Sequence, residues 1–286
     1  MVRATIVGVC FFLFTLCAIP AEETFVFWNL QNYRLTSAER TPAKSNSARQ
    51  AVAQHLAGLQ PTILGIAEID GEAALSDLQE RLSALGCELP HRALCLADAK
   101  GRHLALLSRH PIASHDSRLQ VPIDLNGRSR AMARGILDAT IALPGGEMLR
   151  CIGLHWKSRL DSPGDDEAAF RAAEARASRK HLDAVLESSP GGLVLVFGDL
   201  NDLKNSYSVR ELVGAAGTRS ALREWVPVDS NGEMWTHFWK EAGVYSRLDY
   251  LFASPALGRR PVVLRIAPAN VQASDHRPVT ATFRLP

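Results

Sequence analysis

The chain has 286 residues, 47% of them hydrophobic, 22% charged and 7% aromatic, enough to build one large domain or two small ones with a full core. This is an ordinary globular profile and not that of a disordered or low-complexity protein. A formal net charge of +2 supplies no global field for a polyanion, so a nucleic-acid partner needs a local basic groove.

The first residues, "MVRATIVGVCFFLFTLCAIPAEE", place Arg3 before an unbroken apolar run to Ile19 and then small residues. This is the layout of a secretory signal. Residues 1–21 are therefore expected to be a leader cut after Ala21 or Ala18, and residues 22–286 the working domain of an exported protein, periplasmic or extracellular. The competing reading is a retained membrane anchor, because the run approaches the length of a spanning helix. Export permits disulfides. Of the three remaining cysteines, Cys87 and Cys95 bracket a short segment and are expected to be able to pair across a turn. Cys151, in a strand-like run, reads as a buried free thiol. Their spacing matches no zinc pattern.

"TFVFWNL" predicts a strand ending near Asn29, and residues 45–60 carry Ala, Val and Leu at helical spacing up to Pro61. "TILGIAEI" is a second apolar strand ending at Glu68, followed by a helix over 71–86 closed by Gly86. Strand-like runs follow at 93–96, 103–108, 133–143 and 148–156. The longest helix is predicted over 165–188, with Phe170, Ala173, Ala177, Leu182 and Val185 inward and Arg171, Arg176, Arg179 and Lys180 on a solvated face. "GGLVLVFGD" reads as a strand buried on both faces, and short strands near 235–238, 248–253 and 278–284 end the chain. Strands mixed with covering helices predict one α/β or α+β sandwich domain.

Polar residues recur at the strand ends: Asn29, Glu68, His155 after "CIGL", Asp199 and Asn201 in "GDLND", Asp249 in "SRLDYLF", and Asp275 with His276 in "SDH". Each alone is weak, since "GDLND" is equally a turn stabilised by Asx hydrogen bonds. Together, Asn29, Glu68 and Asp275 offer the oxygen donors that a hard cation prefers. Two histidines and further acids remain for proton transfer and phosphate contact. That is an inventory for metal-assisted phosphoester hydrolysis.

The segments "FWNLQN", "ILGIAEID", "LALLSRHPI", "RGILDATI", "IGLHWKSR", "VFGDLND", "SRLDYLF" and "SDHRPV" resemble, in that order, those of the endonuclease/exonuclease/phosphatase superfamily. The resemblance implies a four-layer DNase-I-like α+β sandwich, with two mixed β-sheets flanked by helices. It implies Glu68 as the principal metal carboxylate, in "AEI" rather than the commoner "QE", with Asn29 and Asp275 beside it. The cation is expected to be Mg²⁺, with Mn²⁺ or Ca²⁺ as substitutes. It implies His276 as the catalytic histidine and Asp249 as its partner. Asp199 would orient or deprotonate the attacking water, Asn201 would hold a phosphoryl oxygen, and His155 would serve as second histidine.

Arg134 and Lys157 are candidate phosphate ligands whose alternative is solvated surface charge; for Arg159 the sequence favours neither reading. Trp235 and His237 line the substrate rim or pack in the core. Asp202, Lys204 and Asn205 stay turn residues. The expected activity is that of an exported phosphodiesterase or nuclease working by in-line attack of water. Nucleic acid is favoured over lipid or small-molecule phosphates as substrate, and the protein is expected to be a monomer. The alternatives are a phosphatase or a phospholipid- or sphingomyelin-type phosphodiesterase, and, in another class, a non-catalytic binding protein on the same fold.

Overall fold

The computed structural model describes residues 22–38, 41–98, 100–159 and 166–284; the predicted leader lies outside the described residues. In chain order the elements begin β1 (Glu22–Tyr33), α1 (Asn46–Leu59), β2 (Ile63–Ile69), α2 (Gly71–Ala84), β3 (His91–Cys95), β4 (His103–Ser108) and β5 (Ile112–His115). They continue β6 (Pro122–Leu125), β7 (Arg128–Ala131), β8 (Ile136–Ala142), β9 (Met148–His155), α3 (Glu167–Ser188), β10 (Leu193–Asp199) and α4 (Tyr207–Val213). The last are β11 (Arg223–Trp225), β12 (His237–Trp239), β13 (Val244–Ser246), β14 (Asp249–Ala253), β15 (Val262–Ile266) and β16 (Val279–Arg284).

Two six-stranded sheets run β15-β16-β1-β2-β4-β3 and β11-β14-β10-β9-β8-β5. Each is built around one parallel pair, β1 with β2 and β9 with β10, flanked by antiparallel partners. Parallel neighbours need a helical crossover, and α1 and α3 supply it. α1 starts where the Ser45 side chain accepts from Ala48 N–H at 3.1 Å, and it stops at a left-handed Gln60 before Pro61.

Strand alternation sorts the side chains into three cores. Phe25 and Phe27 of β1 and Leu195 and Phe197 of β10 pack between the sheets. Val26 and Trp28 turn outward onto α1 and α2, and Val194 and Val196 onto α3 and α4. The layers are helices, sheet, sheet, helices, the DNase-I-like α+β sandwich. Among the described residues no helix is long and apolar enough to cross a membrane.

The Phe197 ring is the central packing piece, 5.0 Å from the Phe25 ring and 5.4 Å from Phe27. It fits because β2 carries Gly65 opposite, where a Cβ would fall 2.4 Å from that ring. Gly65→Ala should destabilise the protein by about 1–3 kcal/mol, the range for overpacking a filled core. Urea denaturation checks this, and an unchanged midpoint would remove Phe197 from its packing role.

One pairing that the sequence left open is decided here, and one expectation fails. Cys87, Cys95 and Cys151 are all free and buried. Cys87 belongs to the core under the helices and Cys95 to the core between the sheets, so the sheet separates them and no bridge forms. Burial pushes the Cys95 thiol up to about 12 and the Cys151 thiol up as well. The basic face of α3 is also only half solvated. Arg176 and Lys180 are exposed, but Arg171 and Arg179 are buried. Arg171 reaches Asp202 at 3.3 Å, and Arg179 caps the carbonyl end of α4 through Leu212 O at 3.0 Å. Asp202 thereby gains a partner that its turn position did not suggest.

Candidate active site

The inward-facing rows of the sandwich core change from apolar to polar at one end. Following Phe25 and Phe27, the next inward residue of β1 is Asn29. After Cys151 and Gly153 comes His155, and after Leu195 and Phe197 comes Asp199; β14, running the other way, begins at Asp249 before Leu251. His155 and Asp249 are both register partners of Asp199. Asn29 Nδ2 donates to Asp199 Oδ2 across the sandwich at 3.0 Å. The site therefore lies at the carboxyl ends of both parallel pairs, where the topology of open sheets leaves a crevice.

Glu68 reaches the site by breaking the alternation. A bulge between Ala67 and Ile69 gives Glu68 a left-handed backbone, φ 64°, a conformation uncommon for a glutamate and found at functional positions. Its Oε2 accepts from Asn32 N–H at 2.9 Å, and its Oε1 lies 3.8 Å from His155 Nε2. Gly198, next to Asp199, is close to the Leu154 backbone: a Cβ would sit 1.9 Å from that carbonyl oxygen. Asn201 is left-handed, φ 49°, and its N–H donates to Asp199 Oδ1 at 2.9 Å, so "GDLN" is both an Asx turn and part of the site.

His276 Nδ1 pairs with Asp249 Oδ2 at 2.8 Å, and its Nε2 lies 3.8 Å from Asp199 Oδ2. Burial opposes the charged imidazole, but the charge and hydrogen bond of Asp249, with Asp199 and Asp275, raise it to about 10. Asp199 moves up to about 7 through burial, with Asp249 pushing the same way and His276 against. His155, 3.6 Å from Asp199 Oδ2, is held well below the usual range by burial and then by Arg134 and Arg102. The site thus contains one imidazolium and one neutral imidazole around a carboxyl group poised near neutrality, a separation typical of acid–base chemistry.

These residues face a cleft of about 840 Å³ that also takes in Asn29, Glu68, Asn201, Asp275 and Arg134. All eight catalytic and metal candidates except Asp249 line it directly, and Asp249 stands behind His276. Arg134 is deeply buried and bonded through Nη1 to Trp156 O at 2.8 Å. Lys157 is absent from the lining and pairs with Glu167 at 3.0 Å. Arg159 and His237 line the cleft. Trp235 is half-buried beneath the Arg277 guanidinium, 4.2 Å from its ring centre, and supports the β12–β13 hairpin.

Several positioning residues escaped the sequence reading because hydroxyls and backbone groups carry no pattern. Ser274 Oγ donates to Asn29 O at 2.8 Å and accepts from His276 N–H at 3.0 Å, tying the last loop to β1. Thr236 Oγ1 accepts from Leu248 and Asp249 N–H at 3.0 and 3.1 Å. Gln31 links Asn29 Oδ1 to Asp275 Oδ2, each at 3.0 Å. Trp239, exposed on the hairpin, lines the cleft and was not singled out.

Glu68 keeps one oxygen toward the cleft, and Asp275 and the Asn29 amide oxygen lie near the shared Gln31. This is a hard, anionic oxygen set, suited to a divalent cation of the Mg²⁺ type. Among the described residues, two groups of acid and histidine atoms lie within 4.8 Å of one another, and neither includes Glu68: His237, Asp275 and His276, and Asp199, Asp249 and His276. In both, His276 has already committed Nδ1 to Asp249.

Two sheets back to back, with a histidine–carboxylate cleft at one end, define the DNase-I-like class of phosphoesterase folds. The chain belongs to the Endonuclease/Exonuclease/phosphatase family, whose sequence profile matches residues 26–276. Similar solved structures include truncated Caenorhabditis elegans TDP2, 19% identical with a TM-score of 0.62, over 92% of this chain and 98% of that one. Sphingomyelinase C from Streptomyces griseocarneus is 17% identical with a TM-score of 0.64, covering 92% and 99%. The human Nocturnin catalytic domain with bound sulfate is 15% identical with a TM-score of 0.65, covering 93% and 96%. At these identities the likeness establishes the fold alone. No curated protein matches the chain.

Proposed function

We propose that the protein is a divalent-metal-dependent phosphodiesterase, acting outside the cytoplasm and preferring nucleic-acid phosphodiesters. The observation that supports this most is the buried His276–Asp249 pair set beside Asp199 in the shared cleft. Asp199 takes the proton of the attacking water. His276, charged because Asp249 holds it so, donates from Nε2 to a phosphoryl oxygen. Asn201 uses one amide hydrogen on Trp156 O at 3.0 Å and offers the other to the phosphoryl group. His155, held neutral by burial and with Nε2 at 3.6 Å from Asp199 and 3.8 Å from Glu68, contacts the phosphate or the leaving group. Glu68, Asp275 and Asn29 would hold the cation, which when bound supplies Lewis-acid polarisation of a phosphoryl oxygen.

A second reading has its own support. The hairpin beside the cleft exposes Trp239, Val244 and Tyr245, an apolar edge that suits a lipid arm on the phosphodiester. The deciding assay compares plasmid DNA, RNA, bis-p-nitrophenyl phosphate, p-nitrophenyl phosphate and sphingomyelin vesicles under Mg²⁺, Mn²⁺, Ca²⁺ and EDTA. Hydrolysis of the nucleic acids and of bis-p-nitrophenyl phosphate, abolished by EDTA, is expected. Turnover of the monoester alone defeats the diesterase reading, and full activity in EDTA defeats the metal.

A further inference from the structure

One buried carboxylate behind the cleft takes no part in the proton transfers. Glu174, on α3, is fully buried, and its two oxygens face two different loops. Oε1 accepts from Ala133 N–H at 2.9 Å and Oε2 from Lys157 N–H at 2.7 Å. Ala133 leads into β8 and Lys157 lies just beyond β9, so one side chain ties together the ends of two neighbouring strands. Burial pushes the carboxyl up to about 7, opposed by these two donors and by the charges of Arg134 and Arg171. A buried carboxylate is costly to keep, and fastening α3 does not require one. The intervening Trp156 already packs in the apolar core under the helix and bonds to it through Ser178 Oγ at 3.2 Å.

We infer that Glu174 is a positioning residue for the phosphoryl group, acting on the Asn201 amide through the peptide that joins Trp156 to Lys157. A trans peptide is planar, with its N–H and C=O pointing in opposite directions. The bond from Lys157 N–H to Glu174 therefore aims Trp156 O away from α3. That oxygen accepts from Asn201 Nδ2 at 3.0 Å and from Arg134 Nη1 at 2.8 Å. An ionised acceptor on the N–H side also polarises the carbonyl on the other, since hydrogen bonds in series reinforce one another. One hydrogen of the Asn201 amide is thereby pinned, which fixes the direction of the second, the one offered to the phosphoryl oxygen. Glutamine at position 174 would have one acceptor oxygen for two donors, and its amide nitrogen would face an N–H. The effect on turnover rests on the diesterase reading; the link from Glu174 to Asn201 does not.

The test uses the full chain in two measurements. The first is a double-mutant cycle on kcat/KM for bis-p-nitrophenyl phosphate in Mg²⁺, with Glu174→Gln, Asn201→Ala and the double variant, each checked for folding by circular dichroism. Glu174→Gln should lose about 10–100-fold, the effect of one hydrogen bond to a charged group. Asn201→Ala should lose about 10²-fold or more, as for a donor aimed at developing charge. The double variant should lie within about threefold of Asn201→Ala, because both changes act through one amide. Losses that multiply in the double variant are those of a merely structural residue, and overturn the role. The second measurement compares ¹H–¹⁵N NMR spectra of wild type and Glu174→Gln in EDTA, with no turnover. The Asn201 side-chain proton bonded to Trp156 O should move upfield in the variant, together with the Ala133 or Lys157 amide. An unmoved Asn201 signal overturns the link, whatever the backbone amides do. Glu174→Asp, which keeps the charge facing Arg134 but is one methylene shorter, takes the place of Glu174→Gln in both measurements if the latter does not fold, with the same expected outcomes. If the Asn201 signal responds but wild type does not hydrolyse the diester, the diesterase reading fails and the positioning stands.

Discussion

Replacing His276 with glutamine is expected to lower kcat by about 10²–10⁴-fold, the range for loss of a positioned acid–base group, while the circular dichroism spectrum stays native. The reason lies in how the imidazole is held. Its Nδ1 faces Asp249 at 2.8 Å in a buried environment, and its pKa stands near 10. A group raised from about 6.5 stabilises the fold fully below that value and loses the contribution as pH rises through 10. The melting temperature of the wild type should therefore fall between pH 6.5 and 10, and this part of the fall should be missing in His276→Gln. Asp249→Asn separates the charge from the ring. The histidine remains, but burial then governs and favours the neutral form, so turnover at pH 7 should drop on the same scale. The double variant should be little worse than either single one, because both act through one unit. A His276→Gln enzyme with near-normal kcat would end its catalytic assignment. Parallel pH–stability curves for the two proteins would end the charged-pair account.

The fold was legible where burial imposes a period. β1, β2, β9 and β10 are runs of apolar residues long enough for strands buried on both faces, and α1 and α3 carry their caps in the sequence as Ser45 and Asp166. Elements too short to show a period escaped notice: β5, the β6–β7 hairpin, α4, β11, β13 and β15, although Val209, Leu212, Trp225 and Ile266 reach the core from them. The arginines of α3 misled for a different reason. A charged residue in a helix reads as solvated unless its partner is known, and the partners, Asp202 and the end of α4, arrive from distant segments. In the site, alternation already implied that Asn29, His155, Asp199 and Asp249 face inward, since each lies two residues beyond a core position. Glu68 breaks that rule, because only its bulge turns the carboxylate toward the cleft. Neither the bulge nor the Glu174 bridge between Ala133 and Lys157 leaves any periodic trace. Both depend on how the backbone closes after strands far apart in sequence have met.

Asp199→Asn is expected to reduce turnover by about 10³-fold or more, since the residue is assigned the proton of the attacking water. It should also reveal the energetic strain of the site. The wild-type carboxyl is raised to about 7, chiefly by burial. A raised acid contributes stability below its unfolded value near 3.8 and withdraws it as pH rises through 7. Measured in EDTA, the melting temperature of Asp199→Asn relative to wild type should therefore improve steadily between pH 4 and about 7. Part of the gain is offset at all pH values. Asp199 accepts from both Asn201 N–H and Asn29 Nδ2, and an amide can satisfy only one of these, a loss of about 1 kcal/mol. With Mg²⁺ present, the positive charge of a bound cation should favour the carboxylate and move the window toward lower pH. A relative melting temperature flat from pH 4 to 8 in EDTA would show that Asp199 titrates normally, and with it would go the case for a carboxyl poised to accept a proton near neutrality. A variant that is catalytically dead yet gains relative stability as the pH rises would show that the fold maintains a buried, half-ionised acid at its own expense, the trade expected where stability yields to chemistry.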